Sequence, residues 1–132
     1  MLRVKEPRKP RPAKLSLAEQ QSIVAACEGF IETVLKPRFL PAIRPTEYNY
    51  PINIHGDWRA GRYRFMQRFR SGMQHNAGFE FDAPFTRIDY KGPDKFDVYW
   101  MRHTGQWWQL YWGLTLDEAF RMILEDPNLH PL

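Results

Sequence analysis

A chain of 132 residues with 43% hydrophobic and 26% charged positions has the size and composition of one ordinary globular domain, able to bury a core without disulfides or metal. No apolar run approaches the ~20 residues of a membrane span, no apolar segment follows the basic start as a secretory signal requires, and a single cysteine excludes an intrachain disulfide, so a cytoplasmic protein without membrane association is expected. The net charge of +4 hides an asymmetry: Arg3, Lys5, Arg8, Lys9, Arg11 and Lys14 against Glu6 give residues 1–14 a net of +5, and the remainder sums to −1.

Residues 1–14 hold three prolines and few apolar groups, which predicts a flexible basic arm. Such an arm suits attachment to nucleic acid or another polyanion, and serves equally as a solubilising tail. Residues 15–132 are expected to form a single α+β domain. Ser16 and Glu19 have capping-box spacing and open a helix that is expected to reach about Lys36, where Pro37 stops it. Ile23, Val24, Cys27, Phe30, Ile31, Val34 and Leu35 recur at three- and four-residue steps and predict its buried face. Cys27 on that face reads as an inert core residue. A proline-punctuated connector over residues 37–45 is expected to be pinned by Phe39, Leu40 and Ile43.

Glu47–Ile54 predicts a strand with Tyr48, Tyr50, Ile52 and Ile54 on one side. Pro51 makes it an edge strand or a bulged one. His55 to Gly61 reads as a turn region. Arg62–Arg70 alternates almost without a break, with Tyr63, Phe65 and Phe69 one way and Arg62, Arg64, Met66, Arg68 and Arg70 the other. After a polar loop, Phe79 and Phe81 form a short apolar anchor. Phe85–Tyr90 predicts a strand with Thr86, Ile88 and Tyr90 on one side. Residues 91–95 form a tight turn.

The densest stretch runs from Phe96 to Trp112 and holds four of the five tryptophans. Residues 96–102 and 106–112 alternate as two strands around His103-Thr104-Gly105. A two-residue Thr-Gly turn would force a β-branched residue to positive φ, so a three-residue loop with Gly105 in the left-handed region is expected. Its register sets Trp100 opposite Trp108, Val98 opposite Leu110 and Phe96 opposite Trp112, an apolar face read as the core. The other face would carry Asp97, Tyr99, Met101, Trp107, Gln109 and Tyr111. Thr115 and Glu118 form a second capping box, opening a helix to about Glu125 that buries Leu116, Phe120, Ile123 and Leu124.

The C-terminal half resembles a small bacterial family known only as domain of unknown function 3024. The resemblance rests on Val98-Tyr99-Trp100-Met101-Arg102, Gly105-Gln106-Trp107, Tyr111, Thr115-Leu116-Asp117-Glu118 and Glu125-Asp126-Pro127. Phe30 to Arg44 adds the opening helix with the proline and arginine after it, so the similarity extends over residues ~23–128. The chain departs at Asn128-Leu129-His130, where the family carries a glycine- or cysteine-containing motif. The resemblance implies an α+β fold of this element order and supplies no activity.

The chemistry-bearing motifs are missing from the sequence. One cysteine makes no zinc site, the four histidines make no i, i+4 pair, and there is no phosphate-binding glycine loop or nucleophile elbow. No cofactor or metal is expected. Asp89 and Asp97 are placed to meet across neighbouring strands with His103 at their rim, a set suited to acid–base or metal-assisted phosphodiester chemistry. The more informative expectation is a surface. An antiparallel sheet of four to five strands, covered on one face by an N-terminal and a C-terminal helix, would leave Arg62, Arg64, Arg68, Arg70, Tyr99, Met101, Trp107 and Tyr111 on the open face. Arginines beside aromatic rings suit single-stranded nucleic acid, charge following the backbone and rings stacking on bases. They suit equally a stack of arginines on rings within one molecule. The functional readings, in order, are a non-catalytic nucleic-acid-binding module, a protein-interaction or homodimerisation module using the same face, and a small hydrolase or nuclease.

Overall fold

The computed structural model describes residues 15–132, and the basic arm lies outside the described residues. The chain forms helix α1 (Leu17–Phe30), a π turn (Ile31–Leu35), a short α2 (Lys36–Phe39), strands β1 (Asn49–Arg59), β2 (Arg62–Ser71), β3 (Glu80–Gly92), β4 (Lys95–Met101) and β5 (Trp107–Leu114), helix α3 (Leu116–Glu125) and a final 3-10 turn (Pro127–Leu129). The fold class is α+β. The five strands make one antiparallel meander in chain order, with the helices on one face.

Ser16 opens α1 by accepting from the Glu19 backbone N–H at 3.1 Å, and Thr115 with Glu118 completes a reciprocal capping box on α3. Ile23, Cys27, Phe30, Ile31 and Leu35 are buried, the face the spacing predicted. Pro37 does not stop the helix. The Lys36 N–H reaches back to the Ile31 carbonyl, a π-type bond, and the widened turn admits the proline ring at the start of α2. The connector is pinned by Phe39 and Leu40, whereas Ile43 is exposed.

Phe30 stacks on Phe120 at 4.3 Å and joins the two ends of the chain above the sheet. Below them Ile54, Tyr63, Phe65, Phe85, Ile88, Phe96 and Val98 form the sheet side of the core. Buried Gln67 exchanges two hydrogen bonds with the Leu132 backbone, 2.8 and 3.0 Å, and Thr86 donates to the Leu129 carbonyl at 2.9 Å. The last residues thereby satisfy the polar side chains on that face.

β1 is an edge strand with a bulge between Pro51 and Asn53. The bulge divides the residues expected on one side: Tyr50 lies opposite Arg70 on the open face, Ile54 opposite Gln67 on the helix face, and Tyr48 is exposed. Residues 55–59 are not a turn. β1 runs on to Arg59, and the reversal is confined to Ala60 and Gly61, with φ of 52° and 79°. Positive φ at both central residues gives the turn that follows the twist of the flanking strands. β3 starts at Glu80 and passes through Pro84, where the ladder with β2 shifts register.

The β4–β5 hairpin has the expected loop. Gly105 takes φ 81°, its N–H bonds to the Arg102 carbonyl at 2.8 Å, and Trp100 faces Trp108. Beyond that pair the register departs from expectation. Tyr111 faces Val98 and Leu114 faces Phe96, because β5 bulges at Leu110 and again near Gly113, whose N–H bonds to the Asp97 carboxylate at 2.9 Å. Tyr111 is thus turned to the helix side, where its hydroxyl donates to Asp126 at 2.8 Å. The expected apolar face is buried only at Phe96 and Val98. Trp100 and Leu110 are half-buried, and Trp108 and Trp112 are 54% and 67% exposed.

Candidate functional site

The helix-free face is built by alternate residues of each strand. β1 contributes His55, Asp57 and Arg59, β2 contributes Arg62, Arg64, Met66, Arg68 and Arg70, β3 contributes Glu80, Asp82, Arg87 and Asp89, and β4 contributes Asp97, Tyr99 and Met101. β5 adds Trp107 and Gln109. Of the eight residues expected on this face, seven are there and Tyr111 is not. Arg62 and Arg64 share a cavity with Trp107, while Arg68 and Arg70 lie towards the far end of β2.

The arginines are met by carboxylates. Arg64 forms a two-pronged pair with Asp57, at 3.0 and 2.6 Å, and this hydrogen bond holds the Asp57 carboxyl below the ordinary carboxylate range. Arg68 bonds to Glu80 and Asp82, Arg70 to Glu80, and His55 to Asp82 at 2.7 Å. Glu80 is likewise held low, first by Arg68 and then by Arg70. The pattern was written in the sequence as Phe79-Glu80-Phe81-Asp82, an alternation that places both acids opposite the β2 arginines.

Arg87 is the buried anchor. It is 8% exposed, paired at 2.7 and 3.1 Å with Asp89, itself 3% exposed. Its guanidinium carbon lies 4.1 Å from the Tyr99 ring centre and 5.0 Å from that of Trp107. Stacking of an arginine on rings within the molecule therefore occurs, through Arg87 and not through the β2 arginines. Asp89 also meets Arg62 at 3.5 Å. Arg87 was within reach of sequence reasoning, since placing Thr86 and Ile88 on the core side sends residue 87 to the other.

At the β1–β2 turn, Arg59, Ala60, Arg62, Arg64, Arg87 and Trp107 line a cavity of about 490 Å³. Arg59 makes no ion pair among the described residues. Four guanidiniums stand here against Asp57 and Asp89, with Asp97 across the sheet from Asp89, so positive charge is left over. Arg59 lies in the stretch 55–61, whose composition predicts a turn and not a strand position on this face.

Asp89 and Asp97 face each other across β3 and β4, as expected. His103 is not at their rim: it lies in the β4–β5 loop, beyond the opposite end of β4. Asp89 is occupied by Arg87 and Arg62, and Asp97 by Gly113. Among the described residues, no group of three His, Cys, Asp or Glu side chains is placed to hold a metal ion. Cys27 is fully buried, and burial, followed by the nearby Glu28, pushes its thiol well above the usual range. No helix among the described residues is long and apolar enough to cross a membrane.

Fold and face together define a small α+β protein with one sheet face left uncovered by its helices. Residues 15–130 match the family described as Domain of unknown function (DUF3024), and the chain belongs to that family. No curated protein and no solved structure matches it.

Proposed function

We propose that this protein is a non-catalytic binding module for single-stranded nucleic acid, contacting its ligand at the β1–β2 end of the open sheet face. The observation that carries the reading is the convergence of Arg59, Arg62, Arg64, Arg87 and Trp107 on one cavity where arginines outnumber carboxylates. Guanidiniums bind phosphate oxygens in a two-pronged geometry, and Trp107 supplies a ring surface beside them. The six basic residues within 1–14 add charge for the same kind of partner.

Binding of the full chain to short single-stranded RNA and DNA, titrated with salt, tests this. Log affinity is expected to fall with log salt by about 0.7 per phosphate contact. Arg59→Ala with Arg62→Ala should weaken binding and flatten that slope by one to two contacts' worth, about 0.7–1.4. No binding at low salt, or an unchanged slope in the double variant, overturns the proposal.

A second reading rests on a different observation. β5 pairs only with β4, and it exposes Trp108 and Trp112 at the sheet edge. Large exposed aromatics on an unpaired edge suit a second protein surface, including another copy of this chain. A concentration-dependent mass in sedimentation, lost in Trp108→Ser with Trp112→Ser, is the expected result for self-association.

A further inference from the structure

We infer that the arginine-lined cavity receives the terminal phosphate monoester of a nucleic-acid strand, rather than phosphates within the strand. This rests on the nucleic-acid reading above and narrows it. The first ground is charge. Four guanidiniums against Asp57 and Asp89, with Asp97 across the sheet from Asp89, leave the recess net positive, which favours the more highly charged phosphate. A phosphate monoester carries about −1.5 to −2 at neutral pH, with a second pKa of about 6, whereas an internal phosphodiester carries a single charge.

The second ground is what lies beyond the recess. A strand running along the face from Arg62 towards Arg70 would enter a stretch where Glu80 and Asp82 already engage Arg68 and Arg70. Backbone phosphates there would meet carboxylates. The positive excess is a patch, not a track, and a patch fits an end.

The third ground is how the donors are held. Arg87 is fixed by Asp89 and by the Tyr99 and Trp107 rings, so its guanidinium is placed before any ligand arrives. Arg62 has a side chain 57% exposed and a single ion-pair contact at 3.5 Å, and Arg59 has none among the described residues. These two retain donors for the three oxygens of a terminal phosphate. Trp107 forms the wall beside them, in position for the adjoining base.

The test compares one eight-nucleotide single strand prepared with a 5′ phosphate, a 3′ phosphate or hydroxyls at both ends, with inorganic phosphate as a separate probe, all on the full chain. One phosphorylated end is expected to bind at least about tenfold tighter than the hydroxyl-ended strand, the worth of one charge-assisted hydrogen bond. That advantage should shrink between pH 7.5 and pH 5.5 as the monoester takes up its second proton. Arg59→Ala and Arg62→Ala should each reduce it, weakening the phosphorylated strand by a larger factor than the hydroxyl-ended one, while leaving the melting profile in place. Equal affinity for phosphorylated and hydroxyl ends overturns this inference and leaves the nucleic-acid reading standing. Inorganic phosphate competing as well as the phosphorylated strand also overturns it, because the recess would then be a site for a free anion. Failure of every strand to bind overturns both.

Discussion

The two ends of the open sheet face are made from the same residue types and arrive at opposite electrostatic states. At the end away from the β1–β2 turn, Arg68 and Arg70 meet Glu80, Asp82 and His55 in a partly exposed network whose charges cancel. At the turn end, Asp89 is shared between Arg62 and Arg87, Asp57 is taken by Arg64, and Arg59 lacks a carboxylate among the described residues. The turn end has four arginines and the far end two, and the two ends differ in net charge because the ratio of acid to arginine differs. Composition alone therefore says little about what a basic strand presents to solvent.

The largest expected effect comes from the one buried pair. Asp89→Ala leaves Arg87 in a nearly water-free site without its partner, and urea unfolding should show a loss of about 3–5 kcal/mol. Disruption at the far end, as in Asp82→Ala, should move the same midpoint little, because exposed pairs contribute about 0–1 kcal/mol. Equal losses at the two sites would erase the contrast.

Next comes an attempt to convert one end into the other. Glu80→Gln with Asp82→Asn releases Arg68 and Arg70, and single-stranded nucleic acid should then bind more tightly. The log–log salt slope should steepen by about 0.7 per released arginine. An unchanged slope would show that geometry at the turn end, rather than uncompensated charge, is what matters.

A smaller change is expected at the turn itself. Ala60 takes φ 52°, where a Cβ is disfavoured, so Ala60→Gly should stabilise the fold by about 0.5–1 kcal/mol in thermal or urea unfolding.

The smallest effect is acid sensitivity. Arg64 holds the Asp57 carboxyl low, and Arg68 with Arg70 does the same for Glu80. Unfolded, these groups regain ordinary values of about 3.9 and 4.3. As pH falls the unfolded chain takes up protons first, so this contribution is fully present above about pH 4–5 and is lost as pH drops through the lower folded values. Asp57→Asn should flatten the urea midpoint between pH 5 and pH 3 relative to the parent chain.

Much of this arrangement was legible in period-2 alternation. Arg62 to Arg70 split as read, the Gly105 loop took its expected form, and the two capping residues started their helices. What escaped depends on single extra residues. Leu110 inverts the alternation after it, sending Tyr111 to Asp126 on the helix side, and the exposure of Trp108 and Trp112 departs from an apolar core face. No propensity marks Leu110 as a bulge; partners distant in sequence select it. Pro51 did announce irregularity, without showing that Tyr50 and Ile54 would part. Arg59 carries no site expectation because Ala-Gly is not the usual pair for a two-residue hairpin turn, so the expected strand ends five residues short of the observed one.

The stack of Phe30 on Phe120 carries a consequence for how the molecule is made. Every strand pairs with its immediate neighbour in sequence, so the sheet can zip up hairpin by hairpin as the chain emerges. The first helix packs on β1, the nearest strand in the chain, and in addition needs a partner from beyond the sheet. Its greasy side finishes packing only when α3, which follows all five strands in the chain, lies against it. Order along the chain and order of docking are thus at odds: the helix that precedes the sheet completes its packing only once the helix that follows the sheet is in place.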